Sequence, residues 1–132
     1  MREIKYKDEV IARHIPANSW NDGLGFYSQD SEYLQVGTWK YNSGKSLLKH
    51  IHNIAERNVE RTQEVIFVKT GKLQASIYSL DEILIETFVA HTGDIIILLN
   101  CGHGYEILED NTEVLEIKNG PYLGADVDRR RF

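Results

Sequence analysis

Short apolar alternations recur along the chain and are separated by polar turns. They run "EYLQVGTWKY", "SLLKHIH", "EVIFV", "KLQASIY", "ILIETFVAH", "DIIILL", "GYEIL" and "EVLEIK". A strand points successive side chains to opposite faces, so period-two alternation predicts half-buried strands. Leu73, Ala75 and Ile77 fall on one face, with Lys72, Gln74, Ser76 and Tyr78 on the other. Ile83, Ile85 and Val89 are expected to share a face as well. "DIIILL" reads as a strand buried on both faces. Turn chemistry lies between the runs, in "TGK" at 70–72, "SLDE" at 79–82, "TGD" at 92–94 and "EDNT" at 109–112. Many short strands with regular turns predict an all-β sandwich or barrel.

No window of helical length carries a clean 3.6-residue stripe. The best helical candidate is "NIAERNVER", 53–61, where Ile54, Ala55 and Val59 make a short amphipathic turn or two. Residues 1–30 look less regular and read as an arm or cover.

Composition changes this picture little. A chain of 132 residues suggests one domain. Apolar content of 42% and charged content of 27% are those of an ordinary globular chain. A formal net charge of -5 argues against nucleic acid, whose phosphates call for a basic footprint. No apolar run has the length of a membrane span. The charged start "MREIKYKDEVIARHIP" has no apolar middle of the kind a signal peptide needs. The lone Cys101 rules out an internal disulfide and fits a reducing compartment. A cytoplasmic protein is the expectation.

The candidate chemistry centres on "KHIHN", 49–53. In a strand, His50 and His52 project together and Ile51 faces away. Five residues lie between Gly44 and His50, and six between Glu64 and Gly71. Gly93, Asp94 and His103 follow in "GDIIILLNCGHG". These spacings resemble the cupin superfamily, whose first motif reads G-x5-H-x-H, a gap, then E-x6-G. The resemblance covers residues 37–118. It implies a double-stranded β-helix, a jelly-roll barrel, and a single domain over 1–132. It also implies one divalent metal ion held by His50, His52, Glu64 and His103, and a homodimer. Two features depart from the family. Eleven residues separate His52 from Glu64, and the second motif is degraded, with Leu99 and Cys101 in place of proline and glycine.

Imidazole and carboxylate are good donors for Fe, Mn, Ni, Cu or Zn, and donor type alone does not select among them. The plainer reading is a pair of polar residues at a wet barrel mouth. Glu64 has an alternative as a strand-end carboxylate with Gln63 turned inward, because a one-residue slip exchanges the faces. His103 has an alternative as a turn residue. Cys101 reads as an inert small hydrophobe. Arg57 and Arg61 are solvated loop charges or, on one helical face, a lid that clamps phosphate or carboxylate.

Three functions fit. The first is a metal-binding cupin acting on a small oxygen-rich molecule, a sugar or organic acid, as a dioxygenase or isomerase. The second is a metal-free isomerase or epimerase of keto-sugar nucleotides, with the histidines as acid and base. The third is a barrel that binds a ligand without catalysis.

Overall fold

A computed structural model describes residues 1–132. The chain is all-β. Its strands are β1 (Arg2–Tyr6), β2 (Glu9–Ile15), β3 (Gly23–Phe26), β4 (Gly37–Lys40), β5 (Glu64–Thr70), β6 (Lys72–Tyr78), β7 (Leu84–His91), β8 (Ile95–Leu98), β9 (Gly102–Ile107) and β10 (Glu113–Lys118). One helical turn, α1 (Ala125–Asp128), follows. No helix is long and apolar enough to cross a membrane. The strands form three antiparallel sheets, and none closes on itself. Their orders are β1-β2-β8-β5-β10, β7-β6-β9 and β3-β4.

The five-stranded sheet is the middle layer. Its inner face sets Ile66, Val68, Ile96 and Leu98 against Leu73, Ala75 and Ile77 of β6 and against Phe88 and Ala90 of β7. Its outer face sets Val65, Ile95 and Ile97 against Tyr27, Leu34 and Val36, which lie between β3 and β4. Both faces of β8 are therefore dry, as its unbroken apolar run requires.

The chain changes sheets at Gly71, between β5 and β6. Its φ is +91°, and a Cβ there would collide with Thr112. Thr112 Oγ1 accepts from Lys72 N–H at 3.2 Å and donates to Glu109 O at 2.7 Å. This ties the β5–β6 corner to the turn that joins β9 and β10.

Three expectations are corrected. First, residues 1–30 are not an irregular arm, since β1 and β2 extend the middle sheet. Charged residues hid their alternation. Ile4, Ile11 and Ile15 are buried, and so is Arg13, because its guanidinium donates to both carboxylate oxygens of Glu32, at 2.7 and 2.8 Å. Second, "SLLKHIH" forms no strand and "NIAERNVER" no helix. Residues 45–60 lack regular structure and are exposed throughout. Their apolar residues meet no facing sheet, and alternation without a partner does not make a strand. Third, Val89 does not share a face with Ile85. Tyr78 pairs with Leu84 and Ile77 with Glu86, so Ile85 is an extra residue that shifts the parity. Ile85 packs on the core, as do Phe88 and Ala90, while Val89 faces out.

Candidate functional site

Residues opposite one another in an antiparallel pair point to the same face. On β6 and β9, Ile77 pairs with His103, Ala75 with Tyr105 and Leu73 with Ile107. The three β6 residues face the core, so the three β9 residues do too. On β5 and β10, Glu64 pairs with Lys118, Ile66 with Glu116 and Val68 with Val114. The inward faces of β9 and β10 thus look at each other across the two layers. Each strand is the last of its sheet. The two layers end there, and the opening between the edges leaves Tyr105 and Ile107 of β9 and Lys118 of β10 partly exposed.

Glu64 sits at the deep side of this cleft and is 7% exposed. Its Oε1 is 3.0 Å from Lys118 Nζ and its Oε2 is 3.2 Å from His103 Nε2. The imidazole contact is a charge contact and not an aligned hydrogen bond. Oε2 of Glu64, Nδ1 of His103 and Oε1 of Gln63 are out of solvent and have no hydrogen-bond partner. Buried polar atoms are nearly always satisfied, so the adjacent orphans on Glu64 and His103 mark a polar interior, while Gln63 faces the other side of the sheet beside Leu99 and Tyr33.

Burial alone would raise the Glu64 pKa. His103 and Lys118 outweigh it and hold the carboxyl below its ordinary range. Lys118 is raised by Glu116 and Glu64 and stays cationic. Tyr105 lies beside His103, with ring centroids 5.5 Å apart. Burial, then the Glu64 charge, pushes its phenol up, so it keeps its proton. Burial also pushes the Cys101 thiol up, to about 12, with Glu64 adding to the effect. A thiol so disfavoured as thiolate is a poor nucleophile.

Of the four expected metal donors, Glu64 and His103 converge. His50 and His52 do not join them. Both lie in the exposed stretch, their rings edge-on at 5.0 Å between centroids. No three His, Cys, Asp or Glu side chains are grouped to hold a metal. In this arrangement the four donors do not fit one ion. Arg57 and Arg61 stand in the same exposed stretch, and Arg57 donates to Ala55 O at 3.1 Å.

Lys118 and Tyr105 complete the cleft and were not assigned to the site by sequence. Strand parity alone puts Glu116 and Lys118 on one face. Which strand lies alongside is a long-range fact that no local pattern carries. Two open hollows border Asp8, Glu9 and Asn100, and Gln63 lines the first of them. There Asn100 donates to Glu9 Oε1 at 2.6 Å and Tyr6 to Asp81 at 3.3 Å. We place the chemistry in the cleft instead.

Comparison with protein-family models, with curated proteins and with solved structures finds no match to this chain.

Proposed function

We propose that the chain is a cupin-type jelly-roll protein that binds a small oxygen-rich molecule, a sugar or an organic acid, beside Glu64 and His103. The single observation that carries this reading is the adjacent pair of orphaned buried polar atoms on Glu64 and His103. The jelly-roll assignment is supported by strand order. β5 lies between β8 and β10, and β9 beside β6, so partners are not chain neighbours, as in Greek-key folds.

The chemistry this set favours is proton transfer without a metal. In its neutral Nε2–H tautomer, His103 carries a lone pair on Nδ1. Nδ1 then takes a proton from a carbon next to a carbonyl. The C–H electron pair moves into the carbon–carbon bond, and the carbonyl oxygen takes the charge. The Tyr105 phenol is a donor for that oxygen. Return of the proton from Nδ1 to the former carbonyl carbon, as the hydroxyl proton of the first carbon passes to the former carbonyl oxygen, completes an isomerisation; an epimerisation takes its new proton from water on the opposite face.

A divalent ion is the second reading, favoured by the free, adjacent imidazoles of His50 and His52. Eleven residues between His52 and Glu64 span up to about 36–40 Å when extended, enough to fold that stretch over the cleft. Arg57 and Arg61 would then lie near enough to hold a phosphate or carboxylate of the ligand.

Thermal shift of the whole chain against keto-sugars, nucleotide-linked sugars and small organic acids, before and after chelator, tests both readings. A ligand that binds the folded state raises the melting temperature. A shift that survives chelator supports the acid–base reading. A shift lost with chelator, restored by one divalent ion and absent in the His50→Ala, His52→Ala double variant, supports the metal. No shift with any compound overturns the proposal.

A further inference from the structure

Residues 42–61 form an arm whose hydrogen bonds stay within itself. Lys45 N–H donates to Asn42 O, Arg57 to Ala55 O, and the His50 ring contacts Leu48 O. Leu48 and Ile51 are each 92% exposed, and Ile54 is fully so. Apolar side chains standing this far in water are stabilised by burial against another surface.

The complementary surface is the segment 105–118, which leaves the end strand of one sheet, turns and returns as the end strand of the other. Its β9 edge has no strand beyond it, and Ile107 on its inward face is 58% exposed. The segment carries five acids, Glu106, Glu109, Asp110, Glu113 and Glu116, against one base, Lys118. The arm carries four bases, Lys45, Lys49, Arg57 and Arg61, against two acids. An unpaired edge with apolar side chains invites a strand, and opposite charge selects which one.

We propose that the arm is exchanged between two copies of this chain: Ser46–His52 of each adds to the free edge of β9 in the other. The single chain folds with its own arm away from that edge, although the arm's root is fixed beside β10. There Gln63 N–H donates to Asn119 Oδ1 at 2.7 Å. A second copy satisfies both open edges and both arms under one two-fold axis. Strand alternation turns Leu48, His50 and His52 to the inner side, beside the partner's cleft. The exchange needs no ligand or metal and stands if none is found.

The test is sedimentation equilibrium of the full chain in chelator-containing buffer. Wild type is expected to be a dimer that weakens as salt rises. Leu48→Asp in the arm and Ile107→Asp on β9 change residues exposed in the single chain, so both variants are expected to melt cooperatively. Each is expected to raise the dissociation constant about tenfold or more. An equimolar mixture of the two retains one intact junction per pair and is expected to associate more tightly than either alone. A monomeric wild type, a dimer indifferent to Leu48→Asp, or a mixture no tighter than its components overturns the exchange.

Discussion

β6 and β9 are neighbours in one sheet, paired residue for residue, with the same parity. Their inward faces differ sharply. Leu73, Ala75 and Ile77 of β6 are at most 2% exposed, while Tyr105 and Ile107 of β9 are 38% and 58% exposed. Alternation alone does not bury a strand face. β6 lies over the middle of the five-stranded sheet, and β9 lies over its edge. What a strand faces decides whether its inward side chains become core or remain a surface that binds.

The largest expected effect uses that pair directly. Ile77→Ala empties a fully buried position and is expected to cost about 2–5 kcal/mol. Ile107→Ala is expected to cost under about 0.5 kcal/mol in a variant assayed as monomer. Urea unfolding of both reads the difference, and equal costs would erase the contrast.

Charged side chains repeat the contrast at a smaller scale. Arg13 is 1% exposed and bonded to Glu32 and Glu3. Arg13→Ala strands two carboxylates that still reach water in part, for an expected cost of about 2–3 kcal/mol. Lys118 bridges Glu64 and Glu116 at the open edge with its side chain 35% exposed. Solvent screening limits the cost of Lys118→Ala to about 0.5–1 kcal/mol. The same unfolding measurement ranks the two.

The smallest effect appears in acid. Asp94 is buried in the "TGD" turn, between β7 and β8. Burial alone would raise its pKa, but donation from His91 N–H, the His14 ring and Ala17 N–H outweighs it and holds the carboxyl below its ordinary range. A depressed folded pKa adds stability that is complete above the unfolded value, about 4. That stability is lost as pH falls through the folded value. Wild type is therefore expected to lose stability below about pH 4, and Asp94→Asn to lose less over the same interval. Glu64 has the same sign, so Glu64→Gln flattens the acid limb as well. Urea midpoints at neutral and acid pH measure both, and parallel acid limbs for wild type and Asp94→Asn would contradict the assignment.

Much of the fold was legible. β6 has clean alternation because one face packs on the middle sheet, and β8 reads as an unbroken apolar run because both of its faces are covered. β1 and β2 were hidden by Glu3, Lys5 and Arg13, whose charges look like surface until the Glu32 partner is known. The parity of β7 was misread because a bulge leaves no mark in "ILIETFVAH". In the candidate site, Glu64 and His103 were legible as types at set spacings. Their meeting depends on β5 and β9 lying in facing layers, as does the arrival of Lys118. His50 and His52 were read as strand residues because "SLLKHIH" alternates, yet a strand needs a neighbour, and the single chain offers them none.

The central claim is that the fold leaves the β9 edge open and that the chain works there. Amide hydrogen exchange of wild type beside Leu48→Asp, at equal protein concentration, tests it most directly. The β9 amides not bonded to β6 and the amides of 46–52 are expected to be protected together in wild type and to lose protection together in the variant, while β6 stays unchanged. Equal exchange of β9 and of 46–52 in the two proteins would contradict the account.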